Sequence, residues 1–414
     1  MKIVVLGSGL LGVTTAYELA RRGFEVTVID RQSESGRETS FANGAQLSYS
    51  DAAPWANPAT LSKLPGWLMR SDAPLVFRLR ADWQMVRWGF AFLRNCTAER
   101  SRINHVNLLR LALYSRERLE HIRHDTGIAF DFDNKGILHV YGTKKEFDLA
   151  KAQNEFQAKF GCEQRELTRE ECVSLEPALA HSPNPLLGGI HSIMDETGDA
   201  YVYCNALAKY CAERYGVKFE YGVTLKKLLT ENGLVMAAST DQGDITADGF
   251  VMALGSYSTL HMRRLGIRLP IYPMKGYSVT IDANDYCPKM SLSDGTHKIV
   301  YSRVGNHLRV AGTAEFAGYN DRINKKRITP IVEASKKFLP KANWDAPVHT
   351  WACLRPQTPD GPPIIGPTPY RNLFLNTGHG TLGWTQAAGS AAILGDIMEG
   401  KPPAIIMLGL TLRR

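Results

Sequence analysis

IVVLGSGLLGVTTAYELARRGFEVTVID, residues 3–30, decides the fold, because a short apolar strand, three spaced glycines, an amphipathic helix and a second strand follow in order. That order is the βαβ unit of a dinucleotide site. Gly7 permits the tight turn out of the strand, Gly9 lets the backbone approach a pyrophosphate, and Gly12 lets the helix pack closely on the sheet. The helix start presents free N–H groups and the positive end of its dipole to phosphate. Ala16, Leu19 and Gly23 keep one side small or apolar, and Val26, Val28 and Ile29 build the buried second strand. Asp30 closes it, placed to accept from ribose hydroxyls. The unit serves FAD and NAD alike.

The chain of 414 residues, 44% hydrophobic, has length and apolar content for about two compact units. Seven cysteines, odd in number and without a CxxC pair, argue for reduced thiols and against a zinc or iron–sulfur site, so no metal is expected. No signal peptide is read before the first strand, and no apolar run reaches the roughly 20 residues of a membrane span, so neither secretion nor integral insertion is expected. The net charge of +8 favours acidic substrates or an anionic membrane surface, with an ordinary basic surface as the plain alternative. No basic run with interleaved aromatics appears, which argues against nucleic acid.

The stretch from Arg31 to about Pro74 is longer than an ordinary connection. Its segment ETSFANGAQLS, Glu38–Ser48, is dense in small residues and amides that suit backbone contact with a flat polar ring. From Trp83 to Asp125 apolar residues recur at helical spacing, with the histidines read as solvated. A strand at Gly136–Tyr141, a helix, a punctuated region at Gly188–Tyr203, a helix over about Cys204–Tyr215 and a strand at Lys218–Gly222 follow. GFVMALGS, within Asp248–Ser256, reads as a buried return strand ending in a glycine turn. Ile271–Ile281, Lys298–Val304 and His307–Gly312 alternate like antiparallel strands, with Gly305–Asn306 as a hairpin turn. At the C-terminal end the strand Asn372–Gly378, the turn HGTLGWT and a small-residue helix at about Gln386–Met398 repeat the strand–turn–helix arrangement.

Together ETSFANGAQLS, FVMALGSYS, YPMKGYS, LRPQTPDGPPIIG and LNTGHGTLGWTQAAGSA resemble the D-amino-acid oxidase superfamily of FAD-dependent oxidoreductases, nearly end to end. Within it the likeness is greatest to the small subunit of bacterial D-amino acid dehydrogenases. The resemblance implies an α/β, two-domain fold: a discontinuous Rossmann-like FAD-binding domain over 1–75, 158–262 and 350–414, and a substrate domain with a mostly antiparallel sheet over 76–157 and 263–349. It implies FAD as cofactor. Gly7, Ser8, Gly9, Leu10, Leu11 and Gly12 would hold the pyrophosphate, and Asp30 and Arg31 the adenosine side. Ser40, Asn43, Gly44, Ala45 and Gln46 would run beside the isoalloxazine, Val223 near the adenine, and Gly255 at the return turn. Gly378, His379, Gly380, Thr381 and Leu382 would present N–H groups to the flavin edge where charge accumulates.

Arg355 would clamp an α-carboxylate by two parallel bonds. Tyr277, Tyr272 and Tyr301 would supply further substrate contacts, and His379 is read as a positioning residue more than a base. No catalytic side chain is required beyond the flavin. The implied reaction is oxidative deamination of a D-amino acid, giving a 2-oxo acid and ammonia. The resemblance implies a quinone-type or other electron acceptor and a place on the cytoplasmic side, with peripheral association at the bacterial inner membrane as one option. Glycine, sarcosine or proline as substrate, a nicotinamide-dependent dehydrogenase, and a non-catalytic nucleotide-binding subunit are the alternatives. Cys353 is the residue a covalent flavin would use. The closing run AIIMLGLTLRR reads as a packed or disordered tail, with lipid contact as the alternative.

Overall fold

The computed structural model describes residues 1–61, 66, 75–78 and 81–413; the remainder of the Arg31–Pro74 stretch, and Arg414, lie outside the described residues. The glycine-containing unit forms as its pattern predicts. The strand Lys2–Leu6 enters the turn at Gly7, the helix Leu10–Ala20 follows, and Glu25–Asp30 returns parallel to the first strand. These strands sit in a six-stranded sheet ordered 364–367, 373–377, 249–252, 2–6, 25–30, 218–221. All neighbours are parallel except the first pair. The return strand Gly249–Met252 therefore runs beside Lys2–Leu6, and the C-terminal ends of the parallel strands gather at one edge, where a crevice opens in such folds. Helices Leu10–Ala20, Ala98–Thr126, Ala200–Tyr215 and Gly383–Met398 share one apolar core, built around Val13, Leu108, Tyr203 and Ile393.

A second, nine-stranded sheet runs 349–357, 272–282, 307–316, 299–304, 291–294, 137–141, 188–192, 164–168, with 75–77 paired to 307–316. Most pairings are antiparallel; 291–294 with 137–141 and 307–316 with 75–77 are parallel. The result is a mixed α/β molecule of two sheet systems. The sheet membership departs from the expected division of the chain, which assigned 158–262 and 350–414 to the nucleotide unit. Strands 164–168, 188–192 and 349–357 pair instead in the large sheet.

Three local expectations are also corrected. The Trp83–Asp125 run is two helices, Trp83–Asn95 and Ala98–Thr126, because the Thr97 hydroxyl caps a new start by accepting from the Arg100 N–H. The helix expected at Cys204 begins one turn earlier, at Ala200, where the Asp199 carboxylate accepts from the N–H groups of Tyr201 and Val202. Among the histidines read as solvated, His105 is buried against Phe156 and lies 3.4 Å from the Gln157 amide; burial holds its pKa below the usual histidine range. The C-terminal tail is packed at Leu410, while Ile406 and Leu408 are exposed. Leu410 is buried and its carbonyl accepts from the Ile365 N–H.

Candidate functional site

A cavity of about 870 Å³ runs from the strand ends of the six-stranded sheet to the inner face of the large one. At one end the Gly7 turn is fixed from three sides. Gly7 has φ +106°, its N–H donates to the Ile29 carbonyl at 2.8 Å, and a Cβ there would meet the Ala253 carbonyl at 2.9 Å. A Cβ on Gly12 would overlap the Gly7 carbonyl oxygen and lie 2.8 Å from its carbon, so glycine is required for this approach of helix to strand. Gly9 caps the helix without a side chain, leaving its first turn open, and Ser40 Oγ accepts from the Leu10 N–H at 3.1 Å. Asp30 accepts from the N–H groups of Ser8 at 2.6 Å and Gln32 at 2.9 Å. Its carbonyl accepts from the Val223 N–H. The Asp30 carboxylate thus faces the cavity between the glycine turn and Val223.

Gly7, Gly9, Leu10, Leu11, Asp30, Arg31, Ser40, Asn43 to Gln46, Val223 and Gly255 all border the cavity, as do His379 to Leu382. Three expected cofactor residues do not border it. Gly12 packs under Gly7, Ser8 turns inward, and Gly378, with φ +87°, shapes the turn behind the wall. The 42–46 segment is fastened to the large sheet: the hydroxyls of Ser278 and Ser302 donate to the carbonyls of Ala42 and Gly44, and the Gln46 amide donates to Ser291 Oγ. A Cβ on Gly44 would come within 3.0 Å of Val300, so this backbone lies directly against the sheet.

His379 is fully buried and its Nε2 lies 2.8 Å from Ser390 Oγ. Burial lowers its pKa to about 3, so the imidazole is neutral and a poor proton acceptor. Its Nδ1, Ser8 Oγ and Asn376 Oδ1 are buried without a partner among the described residues, and His379 and Asn376 border the cavity. Buried polar atoms of this kind mark places where a bound group completes the bonding. Glycines that exclude a Cβ, an open helix start, a carboxylate at the second strand and a turn rich in N–H groups fit a dinucleotide along this cavity.

Arg355 lies on the strand His349–Gln357 and borders the cavity. Its guanidinium covers Gly276 on the neighbouring strand, where a Cβ would collide with it. No described carboxylate is ion-paired to it, and the Cys353 thiol lies against it. Burial pushes that thiol up to about 11, with Arg355 opposing. A thiol kept protonated is a poor nucleophile. Acid precipitation should therefore release all the flavin into the supernatant, and yellow colour retained in the pellet would contradict this.

The three tyrosines expected at the substrate lie elsewhere. Tyr277 donates to Glu315 at 2.5 Å, and Glu315 also pairs with the buried Lys275 and the exposed Arg78. Tyr272 donates to Asp82 and lies among Trp88 and Phe316. Tyr301 stacks on Phe338 and accepts from Ser335. None of them borders the cavity. Residues that the sequence reading passed over do: Asp51, Trp55, His139, Tyr141 and Thr313. The readable signal for Thr313 was the break in alternation at Gly312, where the expected strand stopped short of its true end at Phe316.

Behind this wall Asp195 is fully buried, accepting from the Ser50 N–H and hydroxyl at 2.8 and 2.9 Å. Burial raises its pKa to about 8 against those bonds. The folded state therefore holds a proton that the unfolded chain releases at lower pH, so stability falls as pH climbs from about 4 toward about 8. Asp195→Asn should flatten that part of a Tm-against-pH curve; an unchanged slope would show the proton lies elsewhere.

The comparisons with known proteins agree with the cavity's construction. The family model of FAD dependent oxidoreductases, DAO, matches residues 2–397. The D-amino acid dehydrogenase of Paramagnetospirillum magneticum is 46% identical over 417 residues, covering 100% of this chain and 99% of the relative. That of Dechloromonas aromatica is 43% identical, covering 97% and 98%. Among solved structures, glycine oxidase from Geobacillus kaustophilus superposes with a TM-score of 0.78 at 22% identity, covering 100% of this chain and 98% of that one. L-proline dehydrogenase from P. horikoshii does so with a TM-score of 0.76 at 21% identity, covering 100% and 97%. With the glycine turn, the open helix start and the Asp30 carboxylate arranged for a dinucleotide, and the family match spanning almost the whole length, the chain belongs to the DAO family of FAD-dependent oxidoreductases.

Proposed function

We propose that the protein oxidatively deaminates D-amino acids, releasing a 2-oxo acid and ammonia after the imino acid is hydrolysed. The observation that carries this reading is Arg355: a guanidinium facing the cavity, without a described carboxylate partner, beside the wall that presents the His379–Leu382 turn. Its planar fork suits a bidentate α-carboxylate. FAD, when bound, supplies the two-electron acceptor for the Cα hydride. The chain's own part is placement. Arg355 orients the substrate, the 42–46 segment and the 379–382 turn form polar walls for the flavin ring, and the neutral His379 contributes position, not a proton. No described serine–histidine–aspartate set is needed for this chemistry.

The electron acceptor is proposed to be a lipid-dissolved quinone, with the protein held peripherally at a membrane surface. No described helix is long and apolar enough to cross a membrane. Support comes from Trp83–Asn95, whose solvent-facing arc carries Trp83, 72% exposed, Phe90, 67% exposed, Val86 and Leu93. Arg87 and Arg94 fall on that arc, and the helix contains no acidic residue. Such a surface suits an anionic bilayer. Its buried face connects to the site, with Trp88 donating to the Gln357 carbonyl and Gln84 to that of Ile271.

Steady-state assays test both parts. D-alanine, glycine, sarcosine, D-proline and L-proline are each offered with a water-soluble dye, with oxygen, and with a quinone carried in anionic vesicles. The account expects D-alanine to lead with dye and with vesicle quinone, and oxygen to be slow. Preference for sarcosine or proline would move the substrate class, and fast turnover with oxygen alone would remove the quinone.

A further inference from the structure

Three described non-glycine residues bordering the cavity, Ala45, Lys298 and Thr313, have positive φ, and of these Thr313 alone is β-branched. The strand His307–Phe316 pairs with Tyr272–Asp282 so that Tyr277 faces Gly312 and Gly276 faces Ala314, which leaves Thr313 without a cross-strand partner. It is the extra residue of a β-bulge, a device that re-aims a side chain next to functional sites. Its φ is +53°, in the left-handed region that a β-branched residue rarely adopts and that glycine enters freely. Thr313 borders the cavity, yet its hydroxyl is buried and bonded to no described residue. A threonine that stabilised the bulge locally would bond a nearby backbone group, and this one does not. No hydrogen bond from this hydroxyl to a described residue offsets the strain, and strain held in this way at a cavity points to a ligand.

The position of Thr313 says which part of the ligand. Gly276 pairs across to Ala314 on one side and to Cys353 on the other, and the Arg355 guanidinium covers its α-carbon. Arg355 itself pairs with Met274, two residues from Gly276, and reaches over Gly276 by its side chain, while Thr313 lies at the bulge beside Gly276 on the opposite neighbouring strand. Both residues border the same cavity. An α-amino acid carries its amine one carbon from its carboxylate, so a ligand held by Arg355 presents its amine to groups on the same stretch of cavity wall.

We propose that the Thr313 hydroxyl accepts an N–H from the substrate's α-amino group while Arg355 holds the carboxylate, and that these two anchors set the enzyme's preference between enantiomers. The inference rests on the carboxylate role of Arg355. With two substituents of Cα pinned, exchanging the remaining hydrogen and side chain turns the hydrogen away from its productive direction. Carboxylate binding alone cannot do this, because rotation about the carboxylate–Cα bond would let either enantiomer present its hydrogen.

The test compares Thr313→Val, which keeps the branched shape and deletes the hydroxyl, with Thr313→Ser, which keeps the hydroxyl, and Thr313→Gly, which removes both hydroxyl and strain. KM and kcat are measured for D- and L-alanine with a dye acceptor, together with the inhibition constant of propionate, a carboxylate without an amine. Loss of one buried hydrogen bond raises KM for D-alanine roughly ten- to hundredfold in the valine and glycine variants. The D-to-L ratio falls by a similar factor, propionate inhibition stays within about twofold, and serine restores most of the wild-type KM. The glycine variant, relieved of strain, has a raised Tm while sharing the valine variant's KM, which separates lost contact from lost fold. A valine variant with native KM and enantiomer ratio overturns the proposal, as does one that weakens propionate as much as D-alanine. If wild-type protein does not bind propionate at all, the carboxylate role of Arg355 fails first, and that failure is visible before any variant is made.

Discussion

Arg355→Ala should lower kcat/KM for D-alanine by roughly 30- to 4,000-fold while leaving the flavin bound. Truncating one partner of a desolvated, hydrogen-bonded charge pair costs about 2–5 kcal/mol, and each 1.4 kcal/mol is tenfold in an equilibrium or rate ratio. The guanidinium is half-buried over Gly276, and no described carboxylate takes its place when the substrate is absent, so the loss falls on the substrate complex. Most of the effect is expected in KM, because the carboxylate is held both before and during the reaction. Arg355→Lys should recover only part of it, since an ammonium keeps the charge without the planar fork. Dye-linked kinetics give the ratio, and the visible spectrum of the purified variant shows whether flavin is retained. A native KM in the alanine variant would take the clamp out of the account. A colourless variant would show that Arg355 supports the cofactor site instead.

Gly12→Val should yield protein without flavin, and for a different reason. A Cβ at position 12 overlaps the carbonyl oxygen of Gly7, and the nearest obstacles are backbone atoms that cannot rotate away. Relief would require the helix Leu10–Ala20 to lift off the strand, but Gly7 is held by the Ile29 carbonyl on one side and approached by the Ala253 carbonyl on another. The turn that aims the helix start at a phosphate would be lost with it. Gly23→Ala is the control, because nothing lies within 4 Å of a Cβ built there, although φ is +87°. It should cost about 1 kcal/mol of stability and keep the yellow colour. Flavin retained by Gly12→Val would mean that the close packing is dispensable.

The contrast between these two residues shows which parts of the molecule were legible from sequence. Gly7, Gly9, Gly12 and Asp30 act within one continuous βαβ unit, where spacing alone states the geometry. The return strand Gly249–Met252 and the second strand–turn–helix unit at the C-terminal end were legible on the same ground. Pairing between distant segments was not legible. Gly188–Ser192 joins the large sheet only because Ile137–Tyr141 lies beside it, and nothing local distinguishes it from a strand of the nucleotide unit. Tyr277 failed for a related reason. Side chains alternate along Tyr272–Asp282, and with Gly276 open to Arg355 on one face, Tyr277 falls on the other, against Glu315. Strand alternation gives the two faces but does not say which is wet. His105 was misread because the helix Lys144–Ala158 that covers it is more than thirty residues away in the chain.

The central claim is that a D-amino acid reduces a flavin held in this cavity. The direct measurement is the visible spectrum of the purified protein under strictly anaerobic conditions, recorded before and after adding D-alanine and, in a separate cuvette, L-alanine. The account predicts a yellow protein whose flavin band is bleached by D-alanine and unchanged by L-alanine. A yellow protein that neither enantiomer bleaches would contradict the proposed reaction, and a protein purified without colour would contradict the reading of the cavity itself.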